Sequence, residues 1–334
     1  MRIDKKLYWK IRNFVQAQWM KFRSGDIAGC LSDRKDPRDY PYLGASTSGR
    51  VLPATDRLVL SNDIWRFDQR PFNICVFASA AMGASYQEGI RFSTKFYVQM
   101  AKRLGMITGN GFSYLRAARE ISQKYGRLPY EYMPDEIGAQ TWEQYSRYTI
   151  TDEMLKIAAQ YKAPNYRVVR TEAEAIDALD NGYVLFTAND WYSDMNRPYA
   201  PEYLLRQTGR KVGGHAFIVD VYNAPKRSLD SYETTQTFGF LYGKEGRAKI
   251  VDIFSRGYHS VFIEEKLPGR TDADRFVSVY NGLCVKGLSS PEIYKIEHGA
   301  KRHLQDWQTF TQIANRFYTV SDSLLKKVPT GESI

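Results

Sequence analysis

The spacing of apolar residues changes near residue 183, and this change constrains the fold more than any other feature of the chain. Before it, helical spacing prevails, over residues 75–86, 94–104, 115–125, 150–162 and 171–182. After it, short β-rich segments are bounded by turns, at 183–188, 215–223, 237–243, 248–254 and 258–265. Helices that are followed by strands, rather than alternating with them, predict an α+β fold with an antiparallel sheet.

Residues 1–45 are predicted to form an N-terminal extension. In residues 1–24, apolar residues at helical spacing alternate with lysine and arginine, which predicts a basic amphipathic helix. Such a helix suits a membrane surface or a partner protein, or else it packs on the core of its own domain. A turn-rich connector with two prolines follows in residues 32–44, so the folded domain is expected to begin near residue 46.

The domain itself is expected to span residues 46–267, and residues 268–334 are expected to form a C-terminal extension. One helical face is predicted there, made of Leu304, Trp307, Phe310, Ile313, Ala314 and Phe317. The C-terminal extension is therefore predicted to be largely helical. Its helix and the basic N-terminal helix are the expected contacts for partners in a larger assembly.

Composition argues against several classes of protein. Neither a signal peptide nor a membrane span is predicted, because charges interrupt positions 1–22 and no apolar run is long enough to cross a bilayer. The net charge of +10 is spread along the chain, which favours no sequence-specific binding of nucleic acid. Cys30, Cys75 and Cys284 are far apart and form no C-x-x-C, which fits a reducing, cytoplasmic environment and no paired-thiol zinc site.

Cys75 stands at the predicted start of an apolar helix, within the stretch "DQRPFNICVFASAAM" of residues 68–82. The unpaired N–H groups and the dipole of a helix N-terminus favour a thiolate over a thiol, and a thiolate is a strong nucleophile. A single cysteine is nevertheless more often a small core residue. The chemical interpretation therefore needs partner residues.

Two other residues supply such partners. His215 begins the predicted strand of "GGHAFIVDV", where Gly214 permits close backbone approach, and its separation from Cys75 along the chain suits a papain-type Cys–His pair. Gln69 precedes Cys75 by six positions, and its amide and the Cys75 N–H are suited to bind a developing oxyanion. The remaining histidines form no H-E-x-x-H pattern, so no metal site is predicted.

Together these motifs resemble the papain (C1) family of cysteine peptidases, and in particular its bacterial and phage members. The resemblance covers roughly residues 33–267, through "DPRDYPY", "DQRPFNICVFASAAM", "GNGFSYLRAAREISQKYG", "AIDALDNGYVLFTA" and "GGHAFIVDVYN". It implies a cleft between a helical lobe and an antiparallel β lobe, and no cofactor. It also implies that Cys75 is the nucleophile, that His215 is the base, that Gln69 completes the oxyanion hole, and that Gly111 offers backbone groups to an extended peptide.

The third catalytic residue departs from the family pattern. The Asn-Ser-Trp tripeptide that usually supplies it is absent. In "IVDIFSRGYHSVFI", Asp252 takes the place of the asparagine and Phe254 that of the tryptophan. An aspartate accepts a hydrogen bond from the histidine ring as an asparagine does. Asn281 and Asn223 remain alternatives.

The expected function is hydrolysis of peptide bonds in a peptide or protein substrate, through a covalent thioester. The leading alternative is an inactive structural or binding module, such as a component of a phage virion, because Asn-Ser-Trp is missing, Val76 replaces the family's tryptophan and both ends are extended. A third possibility keeps the chemistry for transpeptidation or for cell-wall peptides. The expected location is accordingly cytoplasmic or virion-associated. The stretch before Cys75 is short and must build part of the domain itself, so no classical inhibitory pro-domain is expected.

Overall fold

The protein is described here from a computed structural model. The residues it describes are 29–33, 41–42, 57–59, 65, 67–69, 71–196, 208–223, 228–232, 247–250, 260–314 and 316–334. The predicted N-terminal helix, Asp252, Phe254 and the predicted strand at 237–243 lie outside these residues. Within the described ranges, no helix has the length and apolarity that a membrane span requires.

The first lobe is helical, as predicted. Its helices are α1 (Cys75–Glu88), α2 (Thr94–Arg103), α3 (Leu115–Lys124), the short α4 (Trp142–Tyr145) and α5 (Asp152–Ala159). Every residue of α1 is buried, because this helix lies between the two lobes. Its small residues permit that position: a Cβ at Gly83 would lie 2.5 Å from the ring of Phe186 in the second lobe.

The second lobe is built on one sheet. Its strands are β2 (Arg57–Val59), β4 (Tyr166–Val169), β5 (Leu185–Tyr192), β6 (Lys211–Asn223), β7 (Ser228–Tyr232), β8 (Arg247–Ile250) and β9 (Val261–Glu264). They run in the order β4-β9-β5-β6-β7-β8, with β2 also on β6, and every pairing is antiparallel. Helix α6 (Glu172–Asp180) leads into β5. The predicted α+β fold with an antiparallel sheet is confirmed.

The two faces of this sheet pack against different layers, because side chains alternate along a strand. The face toward α1 carries Phe186, Ala188, Ala216 and Ile218. The opposite face carries Leu185, Trp191, Phe217 and Val219, which pack with apolar residues of α6. The alternation therefore places Ala216 toward the helical lobe and its neighbour His215 on the other face.

A second, smaller sheet joins the N-terminal segment to the helical lobe. It consists of β1 (Cys30–Leu31) and β3 (Ser113–Tyr114), which pair in parallel. Cys30 lies opposite Ser113 in this pairing, and Leu31 lies opposite Tyr114.

The C-terminal extension is not largely helical, so that prediction was wrong. It contains α7 (Asp272–Tyr280), β10 (Cys284–Gly287), β11 (Ile293–Glu297), β12 (Ala300–His303), α8 (Trp307–Ile313), β13 (Tyr318–Val320) and α9 (Asp322–Lys327). The strands form a sheet in the order β12-β11-β10-β13.

Two local features explain the error. His298 and Gly299 both have positive φ, at 52° and 80°, and form the two-residue hairpin loop between β11 and β12. The predicted helical face ends early because Ala314 is extended, with φ −153° and ψ 151°. One continuous helix therefore does not run through residues 304–317.

Candidate active site

The chain before Cys75 is held by close backbone packing on the loop of residues 108–112. Asn73 N donates to Asn110 O at 2.9 Å, and Asn73 Nδ2 donates to Asn110 Oδ1 at 2.8 Å. Gly111 has φ 134°, and a Cβ there would lie 2.5 Å from the carbonyl carbon of Asn73. Only a glycine allows this approach. The fold thus brings Gly111 beside the segment that leads into Cys75.

Gln69 lies in the tight turn that precedes this segment. It is buried, its Nε2 donates to Phe72 O at 3.3 Å, and Phe72 N donates back to Gln69 O at 3.0 Å. Phe72, where the papain pattern has a disulfide cysteine, packs its ring on those of Trp142 and Tyr145 at 5.4 and 5.5 Å. Aromatic packing therefore anchors this turn where the family pattern has a covalent bond.

Cys75 is the first residue of α1. The residue before it, Ile74, is the N-cap and its side chain accepts no hydrogen bond from the first turn. The Cys75 Sγ accepts a hydrogen bond from Ala216 N at 3.4 Å, and the residue is completely buried. A helix N-terminus and an N–H donor both stabilise negative charge on sulfur.

His215 directly precedes the residue that donates to the thiol. It is completely buried on β6, opposite Asn189 of β5. The Trp191 ring stands edge-on to the His215 ring at 4.9 Å between centroids, and the Phe217 ring lies at 6.5 Å. The fold therefore joins Cys75 and the His215 backbone at one point, although the two residues are far apart along the chain.

Comparison with known proteins rests on structure alone. No protein-family model matches the sequence, and no curated protein matches it. Among solved structures, xylellain, a cysteine protease from Xylella fastidiosa, aligns with a TM-score of 0.62 and 16% identity over 73% of this chain and 97% of its own. The procathepsin B S9 of Trypanosoma congolense aligns with a TM-score of 0.56 and 13% identity, over 72% of this chain and 87% of that one. The fold is that of papain-like cysteine proteases.

A third neighbour, a digestive procathepsin L2 from the Tenebrio molitor larval midgut, has a TM-score of 0.53 and 11% identity, over 79% of this chain and 95% of its own. At these identities the likeness concerns the fold, and the chemistry must be argued from the residues of this chain. In the papain-like fold of this chain, the start of α1 meets β6 at the hydrogen bond between Cys75 and Ala216.

Two of the sequence-based alternatives for a partner of His215 lie elsewhere in the papain-like fold. Asn223 is on the same strand as His215 and eight positions away, a distance of about 26 Å along an extended strand. Asn281 is exposed and follows α7, whose Val279 and Tyr280 line a pocket with Tyr86, near the opposite end of α1 from Cys75. Neither backbone position lies beside His215.

Asp252 and Phe254 lie outside the described residues. The nearest described residue before them is Ile250 of β8, which pairs with Leu229 of β7. Leu229 in turn pairs with Tyr222 of β6, seven positions along the strand from His215.

The structure adds two residues that the sequence did not single out. Asn189 and Trp191 lie on β5, both fully buried, and their alternate spacing puts them on the face of the sheet that carries His215. Among the described residues, Asn189 Oδ1 has no hydrogen-bond partner, and Asn189 Nδ2 reaches only the Met195 Sδ at 3.9 Å. The only available signal was Asn-x-Trp directly after the strand predicted at 183–188, and nothing in the sequence showed that this strand extends to Tyr192 or that it lies beside His215.

No metal site is apparent in the part of the chain that the structure describes. No three histidine, cysteine, aspartate or glutamate side chains cluster there as metal ligands.

Proposed function

We propose that this protein is a thiol hydrolase that cleaves peptide bonds. The hydrogen bond from Ala216 N to Cys75 Sγ carries the proposal. It sets the thiol at the first turn of a buried helix, against the backbone of the residue that follows His215, in a papain-like fold.

In the proposed reaction, His215 accepts the proton of Cys75, and the sulfur attacks the peptide carbonyl carbon. The carbonyl oxygen becomes an oxyanion, which the Cys75 N–H and the Gln69 amide stabilise. Collapse of this intermediate breaks the C–N bond, and His215 returns the proton to the leaving amine. Water, deprotonated by His215, then attacks the thioester and releases the acid and the free thiol.

The substrate is proposed to bind in extended form between the two lobes. Gly111 on the helical lobe and Gly214 on β6 are proposed to offer their backbone groups to the peptide, which requires the cleft to open because both residues are buried in this structure. Gly214 pairs with Asp190 across the β5–β6 ladder, next to His215.

Two residues are proposed for the group that orients His215. Asp252, with Phe254 as its apolar cover, is the candidate from sequence. Asn189 is the candidate from the described part of the fold, because it pairs with His215 across the β5–β6 ladder. Trp191, two positions after Asn189, packs on the His215 ring. Side chains directly opposite on an antiparallel pair have Cβ atoms about 5 Å apart, within reach of a hydrogen bond between the side chains.

A second candidate function is a binding module in a larger assembly without turnover. The observation that favours it is the complete burial of both Cys75 and His215, which leaves a substrate no direct access.

The test is hydrolysis of a fluorogenic peptide library by the wild type, by Cys75→Ser and by His215→Ala. The proposal expects cleavage of at least one peptide pool and its loss in both variants. Cleavage that survives Cys75→Ser would overturn the assigned nucleophile. If the wild type cleaves no pool, the module without turnover is the better account.

A further inference from the structure

A surface pocket of about 250 Å³ lies on the C-terminal extension and has no role in the proposed chemistry. It is formed by residues 291–293 at the start of β11, residues 303–307 from the end of β12 to the start of α8, and Phe310 of α8. None of these residues belongs to the two lobes that form the candidate active site. The pocket is therefore separate from the proposed peptide cleft.

Trp307 forms an exposed apolar wall of this pocket. It is 63% exposed, more than any other large apolar side chain that the structure describes. Its ring rests on that of the buried Phe310, with 4.8 Å between centroids and 38° between the ring planes. The core beneath α8 thus fixes the indole while much of its surface remains in water. Covering such a surface with an apolar group is favourable.

Four polar side chains line the same pocket, namely Glu292, His303, Gln305 and Asp306. They supply both kinds of hydrogen-bonding group, because carboxylates accept, while an amide and a neutral imidazole both donate and accept. Among the described residues that line the pocket, none is lysine or arginine, although the chain carries a net charge of +10. The pocket is therefore locally acidic, with donors as well as acceptors beside an apolar wall.

The two carboxylates are held in place within the extension. The Tyr294 hydroxyl donates to Glu292 Oε2, and Thr309 N donates to Asp306 Oδ1 at 2.7 Å. The hydrogen bond from Thr309 N lowers the pKa of Asp306 below its usual value. A carboxylate offers about four acceptor positions, so both groups keep capacity for a ligand. Groups that are already fixed lose little side-chain entropy when they bind.

This combination of groups excludes several kinds of ligand. An anion is repelled, because it meets two carboxylates and no basic side chain of the pocket. A wholly apolar ligand leaves the polar groups without partners once water is removed. An ammonium group only donates hydrogen bonds, so the donors of Gln305 and His303 remain unused. A sugar ring satisfies all of these groups, because its C–H face packs on an indole and its hydroxyls both donate and accept.

We propose that the pocket binds one neutral pyranose ring of a glycan, stacked on Trp307. The volume agrees with a single ring, since it is smaller than the roughly 300–1,000 Å³ of sites for drug-sized ligands. Because two carboxylates line the pocket, a ring that carries a uronic acid should be rejected. The inference does not rest on the hydrolase proposal, since it concerns another part of the chain and is tested by binding alone.

The first test is a glycan array probed with the full chain. The chain is biotinylated and bound to fluorescent streptavidin, because multivalency makes weak single-site binding measurable. We expect binding to at least one class of neutral glycan and none to glycans of uronic acids. Binding to no neutral glycan, or a preference for the acidic ones, would overturn the proposal.

The second test assigns the binding to the pocket, by titration calorimetry with the best neutral oligosaccharide of the array. Trp307→Ala should weaken binding by about tenfold or more, because aromatic anchors carry much of the energy of such contacts. Trp307→Tyr should restore part of the affinity. Gln305→Ala should weaken binding by about threefold, the contribution of one hydrogen bond. Both positions are exposed, so these variants are expected to fold.

The matched control is Tyr132→Ala, which removes a ring that is 45% exposed on the helical lobe and should leave the affinity unchanged. An unchanged affinity in Trp307→Ala, or an equal loss in both variants, would show that the pocket is not the site. A parallel titration with tetramethylammonium chloride tests the ammonium alternative. If that cation binds in a Trp307-dependent way and the oligosaccharide does not, the proposal is wrong. Turnover enters none of these measurements, so the glycan site and the hydrolase proposal can each fail without the other.

Discussion

The two ends of helix α1 contrast sharply. At its N-terminus, Cys75 accepts a hydrogen bond from a backbone N–H and lies among apolar residues. At its C-terminus, Glu88 is completely buried between two guanidinium groups, with Arg275 Nε at 3.2 Å and Arg127 Nη1 at 3.6 Å. One end of the helix is held by a backbone hydrogen bond and apolar contacts, and the other by buried ion pairs.

The charged end is part of a buried ion cluster, which consists of Glu88, Arg119, Arg127, Glu264 and Arg275. Glu264 of β9 binds Arg127 Nη2 at 2.7 Å and Arg119 Nη1 at 3.0 Å. Arg275 of α7 also donates to the carbonyl oxygens of Leu267 and Arg270. The cluster therefore ties together the helical lobe, the β lobe and the C-terminal extension.

Helix electrostatics explain why the two ends differ. A carboxylate at a helix C-terminus meets the negative end of the dipole, so Glu88 requires its two arginines. A sulfur at the N-terminus meets the positive end of the dipole instead. The buried ion pairs of α1 therefore lie about 20 Å from the proposed chemistry, which is the length of the helix.

The largest effect is expected on peptide hydrolysis, from a substitution at the Cys75 end of α1. Cys75→Ser should lower peptide hydrolysis by about 10³-fold or more, because the hydroxyl is a far weaker nucleophile than a thiolate. The urea unfolding midpoint should stay close to that of the wild type, since the side chains are similar in size. A large loss of stability in Cys75→Ser would mean that the thiol is chiefly a structural group.

The next effect lies at the Glu88 end. Glu88→Gln should lower the free energy of unfolding by about 3 kcal/mol, because it removes one carboxylate from each of two buried arginines. Of these, Arg127 keeps Glu264 and Arg275 keeps the more distant Asp272. The measurement is urea unfolding followed by circular dichroism. Glu143→Gln, at an exposed position of α4, is the matched control and should change stability by less than about 0.5 kcal/mol. Equal effects of the two variants would show that the cluster does not stabilise the fold.

A smaller effect on kcat is expected from substitution of the residue that orients His215. Asn189→Ala should lower kcat on the order of ten- to hundredfold and shift the pH profile if Asn189 orients the His215 ring. Asp252→Asn is the parallel variant, and it should leave kcat nearly unchanged in that case. The reverse pattern would assign the orienting role to Asp252. A loss of kcat in Asn189→Ala that is accompanied by an unshifted pH profile would indicate packing alone.

The smallest expected effect concerns the outer contacts of the C-terminal extension. Burial raises the pKa of Asp272, but hydrogen bonds from Lys266 and Lys327 outweigh it and lower the pKa below its usual value. A lowered carboxyl pKa adds stability above the unfolded-state pKa, and this stability is lost as the pH falls through the folded-state pKa. Asp272→Asn should therefore destabilise the protein by less than about 1 kcal/mol at pH 7, and the difference should vanish in acid. A difference that persists at low pH would mean that charge is not its source.

The sequence determined the features that depend on local properties of the chain, and the tertiary structure determined the contacts between distant segments. The sequence by itself determined α1, the division of helices and strands, and the candidates Cys75, His215 and Gln69, because periodicity and motif spacing are local properties of a chain. It failed in the C-terminal extension, where the His298–Gly299 turn has no common hairpin signature.

Only the tertiary structure decided which distant segments meet. Strand pairing placed Asn189 opposite His215, and backbone packing that a side chain would prevent placed Gly29 on Asn73. The burial of Glu88 and Glu264 depended on arginines from α3, the following loop and α7, none of which is adjacent in sequence. Charged and backbone groups pair when folding brings them together and removes the water between them. A local sequence pattern does not show which groups will be paired in this way.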